Sequence, residues 1–233
     1  MRLHNFFIDE KIGDQKEITI SDSGLISQWR HVLRLNTGSV VILFDNSGFE
    51  YEARFMELTY LKAVFAIIEK RKNSFTPKIK LTLFQSLIKT DKFEWILEKG
   101  TEIGVMSFNP IQANRSIARK LNLARAGKII KESSEQSGRG ILPTISEVVS
   151  LESAISSLSS ESCVFILDPS GVPIPDSLFL IHNSISVFVG PEGGWSSQEL
   201  QEFKLKNLPV YSIGTQILRA ETAAITIITL LLF

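Results

Sequence analysis

Arg219 and Glu221 stand in the run Gly214-Thr215-Gln216-Ile217-Leu218-Arg219-Ala220-Glu221-Thr222-Ala223, at the threshold of an almost wholly apolar stretch. Charged groups entering a buried segment need partners, because an unpaired buried charge is costly. Two arrangements satisfy that need: a salt bridge, or an Arg219 aimed at a carbonyl or phosphate of a substrate. Upstream lies Gly190-Pro191-Glu192-Gly193-Gly194-Trp195-Ser196. Its glycines permit close backbone approach to a ligand, and its proline fixes the approach of the chain. Ser196 with Glu199 forms a capping box, so the loop runs into a helix whose free N–H groups favour anionic or hydrogen-bond-accepting ligand atoms. No Gly-Lys-Ser/Thr follows, which excludes a Walker loop, and the dinucleotide glycine spacing is absent from the chain.

These loops need elements to hold them. Cys163 to Leu167, Ile185 to Val189 and Val210 to Ile213 are short, β-branched apolar runs, and each empties into a loop: Asp168-Pro169-Ser170-Gly171 and the two above. Such runs suit strands buried on both faces of a parallel sheet. Ligands of open α/β sheets bind beyond the carboxyl ends of the strands. Three loops on one sheet edge therefore predict a single small-molecule site built largely from backbone.

The rest of the chain divides in two. Ser39 to Phe44, Glu50 to Met56 and Lys62 to Ile68 read as strands after a helical piece around Leu25 to Leu35, with Asp45-Asn46-Ser47-Gly48 as a hairpin loop. Arg71 to Pro77 is the candidate linker. Beyond it, Ile79 to Leu87 reads as a strand. Asp91 with Glu94 reads as a capping box opening a helix that stops at Gly104, followed by a strand over Val105 to Ile111 and a cationic helix over 118–137. Strand–helix alternation implies a largely parallel sheet covered by helices. The expected organisation is a small β domain over residues 1–72 and an α/β domain over 77–233.

Formal net charge is zero, but its distribution is uneven: residues 76–140 hold 12 Lys and Arg against 6 Asp and Glu, whereas 141–233 hold 3 against 9. A cationic surface for a polyanion beside a neutral or acidic ligand-binding half fits that asymmetry. Cys163 is the single cysteine, so no internal disulfide forms and a reduced, cytoplasmic setting is expected. His4, His31 and His182 are scattered without metal-ligand spacing, and no metal is expected. Ala223 to Phe233, the longest apolar stretch, is too short to span a bilayer.

In order along the chain, Arg2…Phe6-Phe7, His31-Val32-Leu33-Arg34, Lys89…Asp91…Glu94…Lys99…Glu102…Gly104, Asn114-Arg115-Ser116, Glu135-Gln136…Arg139, Gly190-Pro191-Glu192-Gly193-Gly194 and Ile217-Leu218-Arg219…Glu221-Thr222-Ala223 resemble the ribosomal RNA small-subunit methyltransferase E family. Gln216 stands where that family often has a basic residue. The resemblance implies a PUA-like β-barrel followed by a SPOUT-class α/β domain with a deep trefoil knot. It implies a homodimer, S-adenosylmethionine as methyl donor, and methylation at N3 of a particular uridine in bacterial 16S ribosomal RNA, free or in the assembled small subunit.

Carried onto this sequence, the cofactor cradle comprises Leu167, Gly190, Pro191, Glu192, Gly193, Gly194, Ile213, Gly214, Ile217 and Leu218. Arg2, His31, Arg34, Lys89, Lys92, Arg115, Arg119 and Arg139 are the expected RNA contacts. Arg219, Glu221, Glu135 and Arg139 are the candidates for catalysis, with Glu135, Glu192 and Glu221 all open as proton acceptor. The competing readings are a SPOUT enzyme with another RNA target and a non-catalytic ribosome-assembly factor.

Overall fold

The computed structural model describes residues 3–75, 77–117, 120–158, 163–175, 178 and 183–233. The chain forms two compact units, Met1–Thr76 with Ser134–Leu142, and Pro77–Ser133 with Pro143–Phe233.

The first unit is a five-stranded sheet in the order β1-β3-β4-β5-β2. Its strands are β1 (Asn5–Phe7), β2 (Glu17–Ile20), β3 (Val40–Phe44), β4 (Phe49–Leu58) and β5 (Ala63–Lys72). The β1–β3 pair is parallel and the others antiparallel. Alternation of buried and exposed residues along β4 turns Tyr51, Ala53 and Phe55 inward. They enclose the fully buried Trp29, whose ring meets those of Phe6, Phe55 and Phe65 edge-on at 5.6, 5.3 and 5.3 Å.

The helical piece expected around Leu25 to Leu35 is α1 (Ser23–Ser27), capped by Asp22 Oδ1 accepting the Leu25 amide at 2.6 Å, which passes into one π-helical turn over Gln28–Val32. The expected linker is partly ordered sheet, because β5 continues to Lys72. Asn73 behind it is buried, donating to the Gly138 carbonyl and accepting from the Gly140 amide.

The second unit is a wholly parallel sheet in the order β12-β10-β11-β6-β7-β8, with β9 also on β7. Its elements are β6 (Lys80–Ser86), α2 (Thr90–Ile103), β7 (Ser107–Gln112), α3 (Leu123–Ser137), β8 (Thr144–Ile145), β9 (Val149–Ser150), α4 (Leu151–Ser156), β10 (Cys163–Pro173), β11 (Ser184–Val189), α5 (Ser197–Leu205), β12 (Val210–Ser212) and α6 (Ala220–Leu232). On one face Leu81, Leu83, Phe165 and Val187 pack with α2 and α6; on the other, Phe84 stacks on Phe188 with centroids 4.3 Å apart. The three apolar runs of the C-terminal half are the neighbouring strands β12, β10 and β11, as their continuous hydrophobicity requires.

Three local expectations are corrected. Asp91 does not cap α2: Lys89 occupies that position without a side-chain bond and Asp91 sits in the first turn, while the Glu94 carboxylate is taken by Arg125. The cationic helix begins at Leu123 rather than 118. The Asp168 loop is an excursion within β10, which leaves register with β12 after Leu167 and regains it at Val172. The capping box Ser196–Glu199 and the Gly104 stop, with φ of 131°, are present as expected. Among the described residues no helix is long and apolar enough to cross a membrane.

Candidate active site

The site lies in the second unit, at the carboxyl ends of β11 and β12 and the excursion within β10 that follows Leu167. Because the three strands are parallel neighbours, their following loops leave the same edge and enclose a cavity of about 460 Å³. Its walls are Leu167 to Ser170, Val189 to Trp195, Ser212 to Gly214 and Gln216 to Leu218, closed by Leu200 of α5 and by Ala220 and Ala223 of α6. All ten residues expected to cradle a cofactor line this cavity. Arg115, expected at RNA, lines it too.

Specific bonds fix the walls. The Trp195 indole Nε1 donates to the Leu167 carbonyl at 3.0 Å, tying the loop after β11 to the start of the excursion in β10. Arg115 donates to the carbonyls of Gly193 at 2.8 Å and Trp195 at 3.3 Å. The buried Glu199 uses both carboxylate oxygens, accepting the Asn114 amide at 2.8 Å and the Ser196 amide at 2.7 Å. Glu192 Oε1 accepts the Lys89 amide at 3.3 Å. Asp168 Oδ1 accepts from both the amide and the hydroxyl of Ser170, which shapes the excursion in β10.

Glycine is required where chain meets chain. A Cβ on Gly171 would lie 2.6 Å from the carbonyl carbon of Tyr211, and one on Gly190 3.2 Å from the Trp195 indole. The resulting cradle combines aliphatic walls (Leu167, Val189, Ile213, Leu218) with carboxylates at Asp168 and Glu192 and a backbone-lined glycine loop. Volume and chemistry both fit an adenine nucleoside bearing a cationic sulfonium: aliphatic surface for the base, amides for its polar edge, carboxylates for the charge.

Arg219 and Glu221 border a second, open cleft of about 590 Å³ together with Asp91, Lys92, Trp95 and Thr222. Arg219 is exposed in an extended backbone at the head of α6, whereas Glu221 is buried and pairs with Lys92 Nζ at 3.4 Å. Leu218 and Ala220 face the first cavity while Arg219 and Glu221 face the second, so the head of α6 borders both. Lys89 is exposed at the start of α2.

Glu135, Arg139, His31 and Arg34 belong to the first unit. Glu135 accepts the Phe7 amide at 2.9 Å through Oε1, and its carbonyl accepts the Asn5 side-chain amide at 2.7 Å. Arg139 is only 3% exposed, and burial lowers its guanidinium to about 10, still charged at neutral pH. His31 and Arg34 are exposed, Arg34 with a positive φ of 54°. Arg2 and Arg119 lie outside the described residues.

Sequence reasoning missed the second duties of Trp195, Glu199 and Arg115. The glycine loop was legible as a motif, but nothing in the spacing linked it to Leu167 or Asn114.

A strand-edge cavity built from backbone loops, beside a cleft holding an arginine and a carboxylate, is an arrangement suited to group transfer between two bound substrates. Residues 76–232 match the family described as "RNA methyltransferase domain". The chain is 30% identical over 207 residues to the ribosomal RNA small subunit methyltransferase E of Bacillus subtilis, covering 83% of this chain and 81% of that one. It is 27% identical to that of Rickettsia conorii, over 98% of this chain and 94% of the relative. The crystal structure of the Neisseria gonorrhoeae ribosomal RNA small subunit methyltransferase E bound to S-adenosyl methionine superposes with a TM-score of 0.91 at 27% identity, over 98% of this chain and 96% of that one. The chain belongs to the ribosomal RNA small subunit methyltransferase E family.

Proposed function

We propose that this chain methylates N3 of a uridine in 16S ribosomal RNA, with S-adenosylmethionine held in the cavity at the ends of β11 and β12 and the excursion within β10. The observation that carries the reading is the head of α6, whose alternate residues face the cofactor cavity and the Arg219–Glu221 cleft. When bound, the cofactor supplies an electrophilic methyl group on a sulfonium.

The protein's own residues supply position and charge. The backbone walls hold the donor while the cleft holds the base; alignment of reacting atoms is worth about 7–11 kcal/mol in favourable cases. Uracil N3 carries a proton at neutral pH, and negative charge spreads onto the ring oxygens as that proton leaves. Arg219, exposed and borne on a helix head, stabilises that charge. Glu221 shares the cleft with Arg219 and is the proton acceptor, its carboxylate held in place by the ion pair with Lys92 at 3.4 Å. Glu192 and Glu135 already accept backbone amides. Arg115 acts here as a clamp on the glycine loop.

The finer architecture follows the same reading. Residues 1–72, the β part of the first unit, form a PUA-like barrel that grips RNA through His31 and Arg34; the five-stranded sheet around Trp29 supports this. Residues 77–233, apart from the segment Ser134–Leu142 that belongs to the first unit, form a SPOUT domain with a trefoil knot. The connection from β11 to β12, which passes over the intervening β10, supports the knot. The protein works in the cytoplasm as a homodimer on 16S ribosomal RNA or the assembled small subunit. The target base must leave any pairing to expose N3.

Transfer of tritium from methyl-labelled S-adenosylmethionine to small-subunit RNA, with 3-methyluridine recovered on nucleoside analysis, tests the proposal. Label appearing in another nucleoside, or none at all, overturns it. Arg219→Ala lowers kcat by about 100-fold or more, the order expected for removing a charge-stabilising donor, while cofactor affinity stays within twofold. An unchanged kcat removes Arg219 from the chemistry.

A further inference from the structure

The first unit displays a largely exposed aromatic ring, Tyr60, with one face backed by a cation. Tyr60 sits at the tip of the β4–β5 hairpin and is 73% exposed; Leu61 beside it is 83% exposed. Two adjacent large apolar side chains exposed at a hairpin tip offer surface for a contact. The tip is also rigid. Thr59 closes it, its amide donating to the Lys62 carbonyl at 2.9 Å and its hydroxyl accepting the Leu61 and Lys62 amides at 3.3 and 3.1 Å.

The backing comes from the π-helical turn. Widening the helix over Gln28–Val32 keeps Trp29 in the core and leaves His31 and Val32 exposed. Arg30 is anchored by a 3.1 Å bond to the Leu58 carbonyl, and its guanidinium carbon lies 3.7 Å from the centre of the Tyr60 ring. Arg30 Nε is buried without a hydrogen-bond partner among the described residues, so the Leu58 carbonyl and the ring are what hold the group. The His31 ring stands 6.3 Å from that of Tyr60. The carboxylate next to this tip in sequence, Glu57, is already paired with Lys62 at 2.8 Å.

We infer that Tyr60, backed by Arg30, is a stacking platform for one unpaired RNA base, with His31 and Arg34 on the flanking phosphates. The inference deepens the RNA-substrate reading and rests on it. An aromatic face accepts any base, and an adjacent guanidinium strengthens the stack while its charge suits the phosphate beside it. A purely apolar protein partner would leave the basic flank unmatched. The platform therefore supplies affinity for single-stranded RNA and a preference for unpaired over duplex segments.

The test is equilibrium binding of a fluorescein-labelled 12-nucleotide single-stranded RNA, and of the same sequence as a duplex, across a salt series. Tyr60→Ala weakens single-strand binding by roughly 5- to 150-fold, the range for losing one base–aromatic stack, and leaves duplex binding within twofold. The slope of log affinity against log salt is unchanged, because no phosphate contact is lost. Tyr60→Phe binds as wild type and Tyr60→Leu as Tyr60→Ala, since the ring and not its apolarity acts. Arg34→Ala shows the opposite pattern, weakening both RNAs and flattening the salt slope. A Tyr60→Ala protein that binds single strands as wild type, or a Tyr60→Leu protein that does, overturns the platform while leaving RNA methylation standing. A wild type that binds neither RNA and transfers no methyl group overturns both. Calorimetric titration of S-adenosylmethionine, unaltered in every variant, shows that folding is intact.

Discussion

Replacing Trp195 with phenylalanine tests whether the cofactor cavity is held by one indole. Trp195 is buried, meets Phe203 edge-on at 5.1 Å, and donates Nε1–H to the Leu167 carbonyl at 3.0 Å. Phenylalanine keeps one aromatic ring and loses the donor. Leaving a buried carbonyl without its partner costs about 1–3 kcal/mol. Deleting the second ring of the indole adds about 1 kcal/mol, the size of the smaller core truncations. The total, about 2–4 kcal/mol, corresponds to a fall in Tm of roughly 4–16 °C for a chain of this length. The bond joins two of the three loops around the cavity, so S-adenosylmethionine affinity should fall by about tenfold or more in titration calorimetry. An unchanged Tm refutes the bond's contribution. A lowered Tm with unchanged affinity refutes the claim that it positions the cavity walls.

Gly171→Ala forces a methyl group to within 2.6 Å of the Tyr211 backbone, so β10 and β12 must part; we expect a loss of about 1–3 kcal/mol in thermal melts together with weaker cofactor binding. Glu199→Gln turns an amide NH₂ toward the Asn114 or Ser196 amide, two donors facing each other, and should destabilise by about 1–3 kcal/mol although the substitution is isosteric; a Tm equal to wild type contradicts the double-acceptor role. Hydrogen bonding to Arg125 holds the Glu94 carboxyl below its ordinary value of 4.5. A carboxyl lowered by folding contributes stability that is complete above the ordinary value and is lost as pH falls through the lowered one. Glu94→Gln should therefore flatten the decline of chemical-denaturation stability below pH 4.5, and an identical acid limb contradicts the pairing.

Elements marked by an unbroken apolar run or a local capping pattern are legible in the sequence. The runs at 163–167, 185–189 and 210–213 are apolar without alternation because a parallel sheet buries both faces, and that same burial brought their loops to one edge. Ser196 and Glu199 were readable as a cap because the pattern is local. Asp91 and Glu94 carry the same spacing, yet α2 starts earlier and Arg125 takes the carboxylate: a tertiary ion pair overrode a local motif. The short strands β1, β2, β8 and β9 have too few residues to show a period. Trp195, Glu199 and Arg115 act through partners distant in sequence, which no spacing rule reports. The segment Ser134–Leu142 joins the first unit through Asn5, Phe7, Asn46 and Asn73, contacts equally invisible along the chain.

Strand β6 occupies an interior place in the parallel sheet, yet one of its two neighbours is β11, so that Leu81 waits for Ile185 and Leu83 for Val187. During synthesis the amides on that side of β6 stay unmatched until residues 184–189 leave the ribosome. Pairing at such sequence separation is slow to nucleate and leaves an apolar edge open to other chains meanwhile. The architecture that gathers three loops into one pocket thus makes the protein dependent on late, long-range zippering, and rapid overproduction should favour aggregates over native molecules.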